Sequence, residues 1–250
     1  MLVALDVPSL DESEALLGRL AGILTGCKIG SQLFTAAGPA AIEAARKRGF
    51  RVFLDLKFHD IPNTVAAAVR EATRLGVFML NIHASGGLAM ARAAAEAAVK
   101  AAGDFGIPRP LCLGVTVLTS LDRKALQREV GVPASVAAHV LHLAGLAREA
   151  GLDGCVASPQ EISLLRLAMG QEWVIVTPGI RPVESPPLPP GGVERGAERP
   201  PLPLDDQVRI ATPRRALAAG ADYLVVGRPI SGAPDPAAAA AAIVDELRGP

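Results

Sequence analysis

Short runs of β-type residues alternate with longer stretches rich in Ala, Leu, Arg and Glu along the whole chain. Such alternation is typical of βα units, in which helices connect parallel strands. Eight strands are predicted, at residues 2–6, 27–30, 51–56, 78–83, 111–117, 154–157, 173–177 and 223–226. Eight strands with eight helices is the number that closes a (β/α)8 TIM barrel. We therefore predict a single α/β barrel domain over residues 1–250.

Prolines and glycines mark the ends of the helices predicted between these strands. Helices are predicted at residues 11–24, 39–48, 62–75, 88–101, 133–150, 159–168, 213–219 and 236–247. Many of them begin at a proline, which is well tolerated in the first turn. Gly49, Gly76, Gly151 and Gly220 each stand between a helix and a strand, where a left-handed helix cap is expected.

One segment does not fit a regular element. Residues 183–204 contain seven prolines and several glycines, which predicts a long loop inserted after the seventh strand. Two interpretations remain open at this point, a disordered insertion and an ordered loop that covers a substrate.

Composition argues against several classes of partner. The 25 basic and 25 acidic side chains cancel, and no run of five or more like charges occurs, so neither nucleic acid nor an anionic membrane is expected to bind. Cys27, Cys112 and Cys155 are far apart in apolar segments, which favours reduced core residues over disulfides or zinc ligands.

The N-terminal residues show no targeting signal. Met1 is followed by four apolar residues before Asp6, with no basic flank, so we expect neither a signal peptide nor an anchor. The longest Ala-rich run, residues 237–244, is too short to span a bilayer. A cytoplasmic location is expected.

Charged residues gather where the predicted strands end, which is where the active site of a barrel lies. Asp6 ends the first strand, Lys28 lies in the second, and Asp55, Lys57 and Asp60 follow closely at the third. Because strand side chains alternate, Asp55 and Lys57 share a face while the apolar residues beside them share the other. The apolar face must meet the helices, so the two charges are predicted to point into the barrel.

These buried charges have two interpretations. They form either an ion-pair network that fixes strand register or a catalytic array for a reaction whose transition state builds charge. Their place at the catalytic end of the barrel favours the second interpretation.

Residues 54–65, LDLKFHDIPNTV, resemble the signature of the orotidine 5′-monophosphate decarboxylase family. Further segments resemble that family in order and spacing, namely ALDVP at 4–8, CKIG at 27–30, NIHASGG at 81–87, TVLTS at 116–120, TPGIRP at 177–182 and VVGRPI at 225–230. The resemblance covers essentially the whole chain.

The resemblance implies a role for each matching residue. Lys28, Asp55, Lys57 and Asp60 would form a catalytic tetrad, with Asp60 and Thr64 reaching the neighbouring subunit's site in a homodimer. The other implied substrate contacts are Asp6 and Lys28 to the ribose, Thr119 to the pyrimidine ring, and Arg181, Gln207, Gly227 and Arg228 to the phosphate or the nearby ring edge.

The phosphate contacts also have independent support. Barrels often bind phosphate with the loops after strands seven and eight, where Arg181 and Arg228 fall, and the planar guanidinium suits a phosphate. The loop between Arg181 and Gln207 is longer and richer in proline than the family pattern leads us to expect. Our hypothesis is that this insertion forms a stiff outer bulge while both residues keep their roles.

The implied reaction converts orotidine 5′-monophosphate to uridine 5′-monophosphate and carbon dioxide in pyrimidine biosynthesis. Loss of carbon dioxide leaves a carbanion without an electron sink, and the sequence contains no cofactor motif and no metal-ligand spacing. Lys57 is therefore expected to stabilise the carbanion and to protonate C6, with Asp55 crowding the departing carboxylate.

Two other functions remain open. Magnesium-dependent sugar-phosphate enzymes of the same suprafamily share the Asp-x-Lys-x-x-Asp pattern, and metal dependence would distinguish them. A barrel that binds a nucleotide without turning it over is the second alternative. The FHDIPNT and TPGIRP segments, together with Lys28, favour the nucleotide enzyme.

Overall fold

The computed structural model describes residues 1–182 and 209–249. In this part of the chain, eight parallel strands pair in sequence order and close into a barrel, with β1 bonded to both β2 and β8. The strands are β1 Leu2–Ala4, β2 Gly26–Gly30, β3 Arg51–Phe58, β4 Met79–His83, β5 Leu111–Val115, β6 Gly154–Val156, β7 Val174–Thr177 and β8 Tyr223–Val226. The predicted TIM barrel is confirmed.

Helices surround the barrel and connect its strands. Those in the described ranges are α1 Leu10–Leu20, α2 Ser31–Ala37, α3 Pro39–Lys47, α4 Pro62–Arg74, α5 Leu88–Phe105, α6 Arg123–Arg128, α7 Val136–Glu149, α8 Ile162–Met169, α9 Pro213–Ala218, α10 Arg228–Ser231 and α11 Pro236–Arg248. The sequence did not predict α2, α6 and α10, which contain 7, 6 and 4 residues. Elements this short carry little helical periodicity.

Helix ends follow capping chemistry more closely than the predicted bounds. Helix α7 begins at Val136 rather than at residue 133, because the Ser135 side chain accepts a hydrogen bond from the backbone N–H of Ala138. Helix α1 ends at Leu20 rather than at residue 24, and Gly22 has a φ of 81° just beyond it. The predicted left-handed turn at Gly151 is confirmed by its φ of 84°.

The core has two layers. The inner one fills the barrel below its C-terminal end with large and small side chains: Leu2, Ala4, Phe53, Met79, Leu113, Val176 and Val225. The outer layer lies between the strands and the helices and includes Leu54, with Leu56 and Phe58 packed against it. The predicted alternation along β3 is therefore confirmed, since its apolar residues after Phe53 face the helices.

The three cysteines lie in the interior as free thiols, as predicted. Burial raises the pKa of each of Cys27, Cys112 and Cys155 to about 12. At neutral pH these thiols therefore remain protonated.

Some expectations lie partly outside the described ranges. Gln207 and the Pro-rich segment 183–204 fall between residues 182 and 209. The assignment of residues 1–250 to one domain with an insertion at about 183–204 therefore remains a prediction. Within the described residues, the helices are too short or too polar to cross a membrane.

Two glycines allow a matched test of the barrel's packing. A Cβ added at Gly154 in β6 would stand 2.1 Å from the carbonyl oxygen of Val174, whereas a Cβ at Gly145 in α7 meets nothing within 4 Å. We expect Gly154→Ala to lower the free energy of unfolding by about 2 kcal/mol or more through overpacking. We expect Gly145→Ala to raise it by about 0.5–1 kcal/mol through helix propensity. Denaturant unfolding measures both, and an unchanged stability for Gly154→Ala would contradict the packing described.

Candidate active site

A cavity of about 630 Å³ opens at the C-terminal ends of the strands. Eight of the eleven residues predicted for the site line it, namely Asp6, Lys28, Asp55, Lys57, Thr119, Arg181, Gly227 and Arg228. Strands β1, β2, β3, β5, β7 and β8, or the loops directly after them, supply these residues. The barrel therefore gathers residues far apart in sequence around one space.

An array of alternating charges lines part of the cavity. The Asp55 carboxylate lies between two ammonium groups, with Oδ1 2.7 Å from Lys57 Nζ and Oδ2 3.4 Å from Lys28 Nζ. Lys28 Nζ also lies 3.0 Å from Asp6 Oδ1. Asp55 and Lys28 are nearly buried, with 12% and 11% of their side chains exposed, whereas Lys57 is 34% exposed. Asp6, Lys28, Asp55 and Lys57 thus form a chain of ion pairs with alternating sign.

Lys28 keeps its charge in this setting. Burial lowers the pKa of its ammonium, but the negative charges and hydrogen bonds of Asp55 and Asp6 together outweigh burial and raise the pKa. Lys28 is therefore protonated at neutral pH and holds a fixed positive charge beside Asp55.

A bulge in β3 creates this arrangement. Leu54 pairs with Leu80 and Phe58 with Ile82, so Asp55, Leu56 and Lys57 stand opposite the single residue Asn81. The Asn81 side chain bridges the gap, since its Oδ1 accepts from the Lys57 backbone N–H at 2.8 Å and its Nδ2 donates to Asp55 Oδ1 at 2.7 Å. The buried Asn81 amide thus replaces backbone hydrogen bonds that the bulge removes between β3 and β4. It also contacts both Asp55 and Lys57 and so fixes their relative positions.

Lys57 has a strained backbone. Its φ is 52°, and no other non-glycine residue in the described ranges has a positive φ. Conformations of this kind cost of order 1 kcal/mol or more and gather at functional sites. The strain accompanies the bulge that directs the Lys57 ammonium toward Asp55.

The structure does not bring Asp60 and Thr64 into the cavity of their own chain. Both are exposed, and the Asp60 carboxylate accepts a hydrogen bond from the backbone N–H of Ile61 at 2.6 Å. Thr64 lies in the first turn of α4. Both side chains are therefore exposed and lie outside the cavity lining, a few residues beyond Lys57 in the sequence.

Arg181 and Arg228 follow β7 and β8 on one side of the cavity, together with Gly227. The backbone around Arg181 is anchored, because its N–H donates to the carbonyl of Ala211 at 2.9 Å and Ile180 forms a bridge with Ala211. The two guanidinium groups can bind an anion at this edge, where barrel enzymes commonly bind phosphate.

His83 ends β4 close to the charge array, and its ring centroid lies 5.3 Å from that of His59. Burial lowers the pKa of His83, and the positive charges of His59 and Lys57 act in the same direction. His83 is therefore largely neutral at pH 7. It contributes stability that is present above its unfolded pKa of about 6.5 and is lost as the pH falls through its lower folded pKa.

A comparison of the sequence with known families agrees with this geometry. Residues 1–243 match the family described as "Orotidine 5'-phosphate decarboxylase / HUMPS family". The chain belongs to this family.

Relatives and solved structures resemble the chain over nearly its full length. Proteins named orotidine 5′-phosphate decarboxylase from Moorella thermoacetica and Halorhodospira halophila are 54% and 50% identical to it over 247 residues, covering 99% of this chain and 91% and 95% of theirs. A crystal structure of orotidine 5′-phosphate decarboxylase from Lactobacillus acidophilus matches with a TM-score of 0.82 and 34% identity, covering 100% of this chain and 99% of that one.

Asn81 was missed as a site residue by the reasoning from sequence. Its signal was a polar amide in the middle of an otherwise apolar predicted strand, which calls for a buried hydrogen-bond partner. Its role depends on the bulge in the neighbouring strand, which the sequence did not predict. In the described residues, no group of three or more His, Cys, Asp or Glu side chains is placed to hold a metal ion.

The strain at Lys57 can be measured with two variants that remove the same ammonium. We expect Lys57→Gly to be more stable than Lys57→Ala by about 1 kcal/mol, because glycine tolerates a positive φ. Lys100, exposed in helix α5, provides the control pair, since there the order should reverse and Ala should be favoured by about 0.5–1 kcal/mol. Equal unfolding free energies for the two Lys57 variants would show that the backbone is not strained.

Proposed function

We propose that this protein is an orotidine 5′-monophosphate decarboxylase, which forms uridine 5′-monophosphate and carbon dioxide in de novo pyrimidine biosynthesis. The relatives with this name share about half of the residues over 99% of the chain. The observation that carries the proposal is the Lys28, Asp55 and Lys57 array inside a cavity that also holds two arginines.

The charge array suits the chemistry of this reaction. The bond between C6 of the pyrimidine and its carboxylate carbon breaks, carbon dioxide departs, and the electron pair stays on C6. The Lys57 ammonium, 2.7 Å from Asp55 Oδ1, stabilises that carbanion and then transfers a proton to C6. Water restores the proton to Lys57.

Asp55 has two roles in this proposal. Its buried carboxylate pairs with the Lys57 ammonium and holds it in place, and its negative charge repels the substrate carboxylate, which leaves as neutral carbon dioxide. Fixed charges supply the stabilisation in this mechanism, so we propose that the reaction needs no metal ion or organic cofactor.

The rest of the cavity fits a nucleotide. Asp6 and Lys28 hydrogen-bond the ribose hydroxyls, Thr119 contacts the pyrimidine ring, and the phosphate lies between Arg181 and Arg228 beside Gly227. A Cβ added at Gly227 would lie at ordinary contact distance from Ala4 Cβ, 3.5 Å, and from Asp6 Oδ2, 3.8 Å, in space that we propose the ligand occupies. Gln207 is proposed to complete the phosphate end, although it lies outside the described residues.

We also propose that the active unit is a homodimer with shared sites. Asp60 and Thr64 are exposed outside their own cavity but adjoin the charge array in sequence, so a second copy can receive them. Asp60 would then supply the tetrad's second carboxylate across the interface. A reducing cytoplasmic location is consistent with the three free thiols.

The first test is decarboxylation in the presence of excess chelator. We expect purified protein to remove the orotate chromophore of orotidine 5′-monophosphate, and Lys57→Ala to slow this by at least about a thousandfold, because it deletes the proton donor and the main charge at the reacting carbon.

The other outcomes of this assay are equally informative. Turnover only after magnesium is added, with a sugar phosphate as substrate, would identify a metal-dependent relative instead. Nucleotide binding without turnover under either condition would identify a silent nucleotide-binding barrel. Both results would reject the proposed function.

The shared site is tested by complementation. We expect co-expression of Lys57→Ala and Asp60→Asn chains to restore about one quarter of the sites, because half of the dimers are mixed and each mixed dimer contains one intact site. Lys57→Ala co-expressed with Lys28→Ala is the matched control. Both of those residues serve their own chain, so no activity should return. Failure of the Asp60 pair to exceed this control would place Asp60 in its own subunit's site.

A further inference from the structure

Two loops at the rim of the cavity are joined by one buried arginine that does not line it. Arg209 is 5% exposed and is the first residue of the second described range, which begins between β7 and α9. Its Nη1 donates to Glu161 Oε1 at 2.6 Å, and its Nη2 donates to the carbonyls of Val117 at 3.2 Å and Leu118 at 3.0 Å. One guanidinium therefore bonds the loop after β5 and the loop after β6.

The same segment is joined to the loop after β7 by its backbone. Two residues beyond Arg209, the Ala211 carbonyl accepts from the Arg181 N–H at 2.9 Å, and the Ala211 N–H donates to the Gly179 carbonyl at 3.2 Å. Gly179 and Arg181 line the cavity. The segment 209–211 thus contacts the loops after β5, β6 and β7.

The loops that Arg209 holds carry residues of the proposed site. Leu118 and Thr119 line the cavity after β5, and Ala157 lines it after β6. Thr119 is the proposed contact to the pyrimidine ring, whereas Arg181 is a proposed contact to the phosphate. Segment 209–211 therefore links the loop that carries the proposed ring contact to the loop that carries a proposed phosphate contact.

A contribution to stability alone does not explain the buried ion pair between Arg209 and Glu161. Arg209 and Glu161 each have 7% of their side chains exposed, and a buried pair of this kind is often no more stable than an apolar pair of similar volume. In addition, Arg209 Nε and Glu161 Oε2 are buried without a hydrogen-bond partner in the described ranges. The fork of the guanidinium instead matches three acceptors on two loops, which a lysine could not reproduce.

We propose that Arg209, supported by Glu161, is a positioning residue that couples the ring-binding loop after β5 to the phosphate-binding loop after β7. It does not touch the substrate. It fixes the main-chain position of residues 117–118 relative to 179–181, so that Thr119 and Arg181 are held at the spacing that one nucleotide requires. This inference rests on the proposed function for the identity of the ligand.

Replacing one or both partners separates positioning from stability. Arg209→Met leaves Glu161 buried and unpaired, so both the unfolding free energy and kcat/KM should fall. Arg209→Met combined with Glu161→Met removes both charges, so stability should recover toward that of the unmutated protein. The carbonyls of residues 117 and 118 still lack their hydrogen bonds from Arg209 in that variant. Its kcat/KM should therefore remain about 10- to 100-fold below that of the unmutated protein. Recovery of kcat/KM together with stability would overturn the proposal.

Arg209→Lys provides a second test of the positioning role if the double variant folds poorly. It keeps a positive charge for Glu161 but lacks the fork, so we expect near-normal thermal stability with kcat/KM lowered about tenfold. Unimpaired kcat/KM in this variant would reject the positioning role.

Arg166 provides the control for destabilisation as such. It bonds the carbonyls of Gly170, Gln171 and Trp173 before β7, at the end of the barrel opposite the cavity. Arg166→Met should lower stability and leave kcat/KM of the folded protein unchanged. Equal losses of kcat/KM for Arg166→Met and Arg209→Met would show that the effect of Arg209 is general.

A double-mutant cycle measures the coupling itself. The loss in kcat/KM caused by Thr119→Ala should be smaller when Arg209 is already Met, because Thr119 is then no longer held in place. Additive losses would contradict the proposal. Absence of turnover in the unmutated protein would reject the proposed function instead, so the two failures can be told apart.

Discussion

The site depends on one buried carboxylate. Asp55 is contacted by Lys57, Lys28 and the Asn81 amide, and these three groups come from three adjacent strands. A buried charge of this kind is tolerated only when its oxygens are satisfied, so the position of Asp55 constrains all three partners. The bulge in β3 and the positive φ of Lys57 are local changes of the backbone. They accompany the contact between Lys57 and Asp55, which belong to the same strand.

The opposite end of the barrel uses charged side chains for a different purpose. Asp153, just before β6, accepts a hydrogen bond from the Cys112 N–H at 2.7 Å and pairs with Arg109. Asp222, just before β8, accepts a hydrogen bond from the Ile175 N–H at 2.7 Å and pairs with Arg166. Each aspartate thus bonds a main-chain N–H in the preceding strand. These two aspartates provide acceptors for backbone N–H groups near the starts of the strands, whereas the charges at the other end face a cavity. Stability and chemistry are therefore divided between the two ends.

Sequence reasoning predicted the features that depend on local pattern. Alternating segments predicted the barrel, and alternation within β3 predicted that Asp55 and Lys57 point inward, because both follow from the period of a strand. The bulge and the roles of Asn81 and Arg209 were not predicted, since each depends on which backbone group of another element comes to lie opposite. The side of the interface on which Asp60 acts depends on a second chain and remains a prediction.

The bridge between Ile180 and Ala211 has a consequence for how the chain can vary in length. It brings together two points separated by about 30 residues of chain, so the ends of the intervening segment are fixed independently of its length. A change in the number of residues between these two points leaves the bridge itself in place. The cavity wall formed by Gly179 and Arg181 therefore keeps its anchor at Ala211 whatever the length of the chain that joins them.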